Sequence, residues 1–163
     1  MTAHPAAPRR SAAEQTRLEA ALTELFERRI TFNQTLGIRV VSLDPANPRV
    51  RFDMRPGLVG HYDYGQLHGG VTSAVLDAAG GFALMVALCE KFNDEDCDRV
   101  MARFGRMGTI DLRIDYLQRG LGTWFEAGAR VTRLGGRIGS VQMTLHSDDG
   151  TLIATGAAAY VVG

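Results

Sequence analysis

The segment Tyr64–Cys89, YGQLHGGVTSAVLDAAGGFALMVALC, decides the fold of this 163-residue chain. A turn at Gly65 leads into His68-Gly69-Gly70, and a long run of small and apolar residues follows. Apolar residues recur in this run at the spacing of an α-helix: Val71, Ala74, Val75, Ala78, Phe82, Met85 and Val86. Since the remaining positions are also mostly small or apolar, the pattern predicts a helix that the rest of the chain covers on nearly all sides.

A single carboxylate, Asp77, interrupts this apolar helix. Burying a charge is costly unless another group pairs with it or uses it. At the start of the helix, Gly69 and Gly70 expose backbone N–H groups that carry partial positive charge and that no side chain shields. Gly70, Ser73 and Asp77 follow the spacing i, i+3, i+7, which places them on one helix face and predicts a single site.

Each of these residues also has a simpler interpretation. Asp77 is then a solvent-facing acid on a surface helix, which its apolar neighbours disfavour, and His68 is a helix cap or a packed loop residue. The combination of the three features is a stronger signal than any one of them.

Length and composition predict one soluble globular domain, with 45% hydrophobic and 22% charged residues. We assign residues 11–163 to that domain and residues 1–10 to a disordered leader. The 18 basic and 18 acidic residues give a net charge of zero, which argues against nucleic acid or a membrane as a partner. Cys89 and Cys97 lack the spacing of a zinc or redox site, so we expect reduced thiols, no metal, no cofactor and a cytoplasmic location.

Periodicity and turn signals predict one buried helix among antiparallel strands, which is an α+β architecture. Before the central helix we predict an N-terminal helix from Ser11 to near Arg29, a turn or second helix, two strands and a loop. After it we predict a connection, with a short helical turn as a further option, and then four strands linked by hairpins. The proposed ranges are 31–37 for the turn, 38–43 and 49–54 for the first strands, 58–66 for the loop, 71–89 for the central helix, 91–105 for the connection, and 109–117, 122–134, 137–146 and 151–161 for the later strands.

Leu67-His68-Gly69-Gly70, followed by Leu76-Asp77 with the acid nine positions after the histidine, resembles the hotdog-fold acyl-CoA thioesterases of the PaaI-like group. The resemblance covers the chain from about Phe32 to Val161. It implies a curved antiparallel sheet wrapped around one long helix. It also implies a homodimer joined edge to edge through the strand 109–117, active sites at the dimer interface, and in many relatives a homotetramer. An unpaired sheet edge independently favours such pairing.

The same resemblance implies roles for individual residues. Asp77 matches the catalytic acid, which acts as general base or as nucleophile, and sequence does not choose between them. The N–H of Gly69 or Gly70 matches the donor to the thioester oxygen, His68 the residue that fixes this loop, and Thr109 a hydroxyl that positions water.

Substrate contacts are expected around this centre. Many relatives carry an asparagine six residues before the histidine, where this chain has Tyr62, and Tyr62 or its neighbours His61 and Asp63 are candidates to replace it. Ser73 shares the helix face of Asp77. Because CoA carries phosphates, two arginine pairs are further candidates: Arg133 with Arg137, which family placement favours slightly, and Arg103 with Arg106.

The leading hypothesis is therefore an acyl-CoA thioesterase that acts on a fatty-acyl or aryl-acyl substrate. A non-catalytic acyl-CoA-binding or sensing protein of the same fold is the alternative. A dehydratase or hydratase is a third interpretation, although the motifs typical of those enzymes are absent from this sequence.

Overall fold

The computed structural model describes residues 9–163, and its longest element is the apolar helix predicted from the sequence. The helices are α1 Ala12–Glu24, which continues as a π-helical turn over Leu25–Arg29, α2 Thr31–Leu36, α3 Gly69–Lys91 and α4 Cys97–Phe104. The strands are β1 Arg39–Ser42, β2 Arg49–Asp53, β3 Val59–His61, β4 Gln66–Leu67, β5 Gly108–Tyr116, β6 Trp124–Leu134, β7 Ile138–Ser147 and β8 Leu152–Val161. The predicted central helix and all six long strands are present, with boundaries that differ by one to two residues at most ends.

Six strands form one antiparallel sheet in the order β1-β2-β6-β7-β8-β5, while β3 and β4 form a separate small hairpin. Alternate residues of the long strands face α3 and are buried, because side chains on a strand point to opposite faces in turn. These residues include Phe125, Ala127, Val141, Met143, Leu145, Ala158 and Tyr160. The sheet curves around α3, and the predicted α+β architecture is confirmed.

Helix α3 is long and apolar enough to cross a membrane by length and composition. In this fold, the sheet and the N-terminal helices bury 61% of the most apolar 18-residue stretch of α3. Phe82 illustrates this packing, since its ring lies 4.8 Å from that of Phe26 between ring centroids. Burial within the protein therefore accounts for the apolar composition of α3.

The N-terminal helices close one side of the core. Ser11, where the predicted N-terminal helix begins, caps α1, because its hydroxyl accepts the Glu14 N–H at 3.2 Å. The Glu14 carboxylate accepts the N–H of Cys97 at the start of α4. In the same way Glu27 accepts the N–H of Val40 at 2.7 Å, so the π-helical turn covers the edge strand β1.

Most of the predicted leader, residues 1–8, lies outside the described residues. Its last two residues, Arg9 and Arg10, are described. The Arg10 guanidinium donates to the carbonyl oxygens of Cys89 and, at 2.8 Å, Phe92. The Cys89 carbonyl is among those that the last turn of α3 leaves without a helical partner. Arg10 therefore caps the central helix.

Two predicted connections contain regular structure. The segment 91–105 includes the eight-residue helix α4. The Asp96 side chain caps the N-terminus of this helix by accepting the N–H of Arg99. The segment 58–66 contains most of the β3–β4 hairpin, with Gly65 in the left-handed conformation (φ 60°) that its turn requires. This hairpin delivers the chain directly to the start of α3.

Candidate active site

Asp77 lies in the middle of α3 and is half-buried. Its Oδ1 atom accepts the Thr109 hydroxyl at 2.9 Å and lies 3.1 Å from the Tyr160 hydroxyl. No described residue donates to Oδ2. One oxygen of the carboxylate is thus held by two hydroxyl groups, and the other is left for a ligand or water.

A β-bulge aims Thr109 at this carboxylate. In β5, Leu112 and Ile114 face the core, and strict alternation would turn Thr109 to the opposite face together with Asp111. The register with β8 shifts between Thr109 and Asp111, so that Ile110 is displaced and 53% exposed. Bulges of this kind commonly re-aim a side chain beside a functional site.

Tyr160 is the direct partner of Thr109 across the β5–β8 ladder. Residues opposite each other in such a pair project to the same face of the sheet, which brings both hydroxyls to Asp77. The Tyr160 hydroxyl also donates to the backbone carbonyl of Asp77 at 2.8 Å. Burial and the neighbouring Asp77 charge raise the pKa of Tyr160 far above its ordinary value, so this hydroxyl stays protonated as a donor.

The N-terminus of α3 offers one open backbone donor. The Gly70 N–H donates to His68 Nδ1 at 2.8 Å, which makes His68 the cap of α3. The His68 carbonyl accepts the N–H groups of Val71 and Thr72. No described residue accepts the N–H of Gly69.

The peptide that joins Gly69 to Gly70 is held at both ends. His68 Nδ1 binds its N–H, and the Tyr116 hydroxyl donates to its carbonyl oxygen, that of Gly69, at 2.9 Å. A histidine that accepts at Nδ1 carries its ring proton on Nε2, so the ring also presents a donor on its other side. The helix start is therefore preorganised, with the Gly69 N–H as its free group.

A groove of about 440 Å³ runs along α3 and includes Asp77. Its polar groups are those already described together with Ser73 and Asn33. Its walls are otherwise apolar and come from α3, β5, the π-helical turn and α2, and the apolar lining residues are Phe26, Ile30, Phe32, Ala74, Ala78, Met85, Met107 and Leu112. A cleft of this kind suits a ligand with an apolar chain and one polar head.

The acid and the free amide of one chain lie far apart. Gly69 and Asp77 are eight residues apart on one helix, which corresponds to about 12 Å along its axis. A single carbonyl group within hydrogen-bond distance of both groups is therefore ruled out within one chain. If both groups act on one bond, a second copy must supply one of them.

The loop candidates lie away from the groove. Tyr62 is 88% exposed, and the ring of His61 stacks on it with a centroid distance of 5.5 Å. Asp63 is exposed at the tip of the same hairpin. None of the three lines the groove that holds Asp77, whereas Ser73 does, with its hydroxyl donating back to the helix carbonyls of Gly69 and Gly70.

The two arginine pairs differ in their surroundings. Arg103 forms a two-pronged ion pair with Glu95 and stacks over the Phe92 ring at 3.6 Å, so its charge already has a partner. Arg106 is exposed beside a small hollow at the end of α4. Arg133 and Arg137 are exposed at the β6–β7 hairpin, and no described carboxylate pairs with either of them.

The two cysteines are free and buried. Burial raises the pKa of the Cys89 thiol to about 12, which keeps it protonated and unreactive. Within residues 9–163, no cluster of three histidine, cysteine or acidic side chains is arranged to hold a metal ion.

Sequence analysis missed Tyr160 and Tyr116 as residues of the site. Tyr160 belongs to an alternating strand pattern that ordinarily indicates a core residue, and its contact with Asp77 depends on the register of two distant strands. Phe26 also lines the groove, although its place on the apolar face of an N-terminal helix gives no sign of this. Gly80 and Gly81 do not line the groove.

Comparison with known proteins agrees with this geometry. Residues 64–154 match the profile of the thioesterase superfamily. The chain is 34% identical over 140 residues to the medium/long-chain acyl-CoA thioesterase YigI of Salmonella typhimurium, which covers 86% of this chain and 90% of that protein. It is 33% identical, over the same shares of both chains, to YigI of Escherichia coli K12.

A solved structure from Shewanella oneidensis, described as related to the thioesterase superfamily, superposes with a TM-score of 0.86 at 34% identity. The match covers 94% of this chain and all of the other. The sheet wrapped around one long helix is thus the hotdog fold, and the class of protein is a hotdog-fold thioester hydrolase. This chain belongs to the thioesterase superfamily.

Proposed function

We propose that this protein hydrolyses medium- or long-chain acyl-CoA thioesters to the free acid and CoA, with Asp77 as its catalytic carboxylate. The observation that carries the proposal is the free Oδ2 atom of Asp77 at the wall of a largely apolar groove. The names of the YigI relatives support the acyl-CoA substrate and the chain length.

The groove favours an aliphatic chain over an aryl group. It follows α3 from Gly70 past Asp77 to Met85, and eight residues separate the last two, or about 12 Å along the helix. An extended chain fills such a length, while a single aromatic ring leaves most of it empty. Each buried methylene contributes about 0.8 kcal/mol, so long chains gain the most from it.

The reaction needs an attacking oxygen and a group that stabilises the oxyanion. As a general base, Asp77 Oδ2 takes a proton from water while the water oxygen bonds to the thioester carbon. The carbon–sulfur bond then breaks, and the sulfur leaves as the CoA thiol after it receives that proton. As a nucleophile, Asp77 itself bonds to the carbon, CoA leaves, and water then hydrolyses the mixed anhydride. Both routes use the Asp77 carboxylate and a donor that stabilises the oxyanion.

The Gly69 N–H is the proposed oxyanion donor. Of the two amides considered, it is the one with no partner among the described residues, whereas the Gly70 N–H already donates to His68. The partial positive charge of the helix N-terminus adds to its effect. Because one chain holds Gly69 and Asp77 about 12 Å apart, we propose that the amide and the acid at each thioester come from two subunits of a homodimer.

Several finer points are part of the proposal. We retain the PaaI-like subgroup, the cytoplasmic location and a possible dimer of dimers as expectations. Exposed Arg133 and Arg137 are the preferred contacts to the CoA phosphates, since no described acid neutralises them. The hairpin residues His61, Tyr62 and Asp63 are proposed to contact the substrate only across the dimer.

The decisive experiment assays the purified protein on a panel of acyl-CoAs beside Asp77→Asn. We expect this variant to lose about 10²- to 10⁴-fold in kcat, since it removes a general base or nucleophile while it keeps the shape of the side chain. Asp53→Asn is the control, because Asp53 is an exposed acid whose partner is Arg39 in the neighbouring strand.

Two outcomes contradict the proposal. Asp77→Asn with the activity of the parent would exclude Asp77 as the catalytic group. Tight binding of acyl-CoA by the parent without any turnover would instead establish the acyl-CoA-binding or sensing protein, the alternative function.

A further inference from the structure

The proposed reaction does not use the buried hydroxyl of Tyr160, which lines the groove beside Asp77. It lies between β8 and α3 and reaches both the backbone carbonyl and Oδ1 of Asp77, at 2.8 and 3.1 Å. We propose that Tyr160 is a positioning residue, which fixes the rotamer of the Asp77 carboxylate so that Oδ2 faces the groove. This inference rests on the proposed function, because it assigns a task to Tyr160 in the same site.

The geometry makes Tyr160 more than a packing residue. Thr109 and Tyr160 approach the same oxygen of Asp77 from two adjacent strands, so the carboxylate is prevented from turning about its terminal torsion. That torsion is otherwise broad and weakly restrained.

Gly80 is what allows Tyr160 to approach. A Cβ atom at Gly80 would lie 2.4 Å from the Tyr160 hydroxyl oxygen and 2.7 Å from the Met143 sulfur. No ordinary contact is that short, so any side chain at this position must displace the tyrosine. At the adjacent Gly81, the nearest atom is a Tyr160 ring carbon at 3.8 Å, which is an ordinary contact.

Few charged groups compete for this interaction. Among the groove-lining residues, Asp77 and Tyr160 are the only ones with an ionisable side chain. The groups that face Asp77 from the packed elements are Thr109 from β5 and Tyr160 from β8, while α2 contributes the uncharged Asn33 to the groove. Loss of the tyrosine hydroxyl therefore acts on Asp77 without disturbing another charged group of the groove.

The test compares Tyr160→Phe, Gly80→Ala and Gly81→Ala with the parent. Tyr160→Phe removes the donor, and Gly80→Ala displaces it while leaving it in the chain. Gly81→Ala is the matched control, with the same substitution one residue away and the same gain in helix propensity. The fold should survive Tyr160→Phe, because the Asp77 carbonyl keeps its bond within α3.

We expect Tyr160→Phe and Gly80→Ala to lower kcat about tenfold while KM changes little, since the carboxylate loses the contact that holds Oδ2 toward the groove. Gly81→Ala should retain the parental kcat and KM. A purely structural role for Tyr160 would lower the melting temperature and the yield of active protein without changing kcat per active site.

A second measurement does not depend on activity. In protein labelled with ¹³C at the aspartate carboxyl carbons, the chemical shift of the Asp77 resonance at one fixed neutral pH should differ from the parental value in Tyr160→Phe and Gly80→Ala but not in Gly81→Ala, because the carboxylate loses the tyrosine contact. An unmoved Asp77 resonance overturns the inference even if the protein is an active thioesterase. Conversely, a parent without acyl-CoA hydrolysis contradicts the proposed function, while the shifted resonance would still establish the contact.

Discussion

At the scale of single residues, the start of α3 distinguishes two backbone N–H groups that are equivalent in the sequence. Gly69 and Gly70 are equivalent as neighbouring glycines, yet His68 Nδ1 binds the N–H of Gly70, while no described residue accepts the N–H of Gly69. Free and correctly aimed donors matter, since loss of one oxyanion donor typically lowers kcat by about 10²- to 10³-fold. The role of the Gly69 N–H can therefore be tested by removing a single hydrogen.

Gly69→Pro removes that hydrogen with little change to the helix. Gly69 is the first residue of α3, a position where proline is favoured because its N–H has no helical partner. The preceding His68 has φ −67° and ψ 134°, an extended conformation that proline accepts after it. We expect kcat on the best acyl-CoA to fall about 10²-fold, measured beside thermal unfolding.

Gly69→Ala is the matched control for this change. Its Cβ meets the Tyr116 ring at 3.4 Å, the same contact that the proline ring makes, but the N–H remains. Activity within a few-fold of the parent is the expected result. If the proline and alanine variants were equally active, the oxyanion donor would have to be another group.

At the scale of elements, sequence periodicity predicted the long helix and the six sheet strands because each has its own repeating pattern. It described the charged segment before β5 as a connection with at most a short helical turn, although Cys97, Val100 and Phe104 bury one side of the eight-residue helix α4. The bulge that turns Thr109 inward and the pairing of Thr109 with Tyr160 depend on register between distant strands. No local pattern carries that information, so half of the Asp77 environment was inaccessible to sequence reasoning.

The groove is also a property of elements, since helices and a strand share its walls. Met85 lines it about 12 Å beyond Asp77 on α3, where the far end of an acyl chain is expected. We expect Met85→Trp to shift the preference toward shorter chains. The ratio of kcat/KM for long to short acyl-CoAs should fall about tenfold for every two methylenes excluded, since each contributes about 0.8 kcal/mol.

Met85→Leu is the control, because it keeps the apolar character and most of the volume of methionine. A chain-length series from short to long acyl-CoAs, measured on parent and both variants, gives the result. An unchanged preference in Met85→Trp, in a folded and active protein, would show that the acyl chain follows another path.

At the scale of the whole molecule, the two edge strands of the sheet, β1 and β5, differ in how their outer edges are covered. At β1 the Val40 N–H is bound by Glu27 from the π-helical turn, which blunts that edge. At β5 no described residue pairs with the outer edge, and the apolar side chains of Ile110, Tyr116 and Leu117 are about half exposed or more. An open apolar edge favours pairing with a second copy, and β5 carries both Thr109 and Tyr116 of the site.

A complementation experiment tests whether the two halves of a site come from two subunits. Asp77→Asn and Gly69→Pro chains with different affinity tags are co-expressed, and the mixed dimer is isolated by sequential purification. In a shared site, the mixed dimer joins the intact Asp77 of one chain to the intact Gly69 N–H of the other, and its second site carries both changes. About half of the parental activity should return, although each homodimer is nearly inactive.

If one chain supplied both groups, every site in the mixed dimer would carry a change, and its activity would equal the mean of the two homodimers. A parental dimer with the same two tags gives the reference value, and size-exclusion chromatography with light scattering shows that each preparation is dimeric.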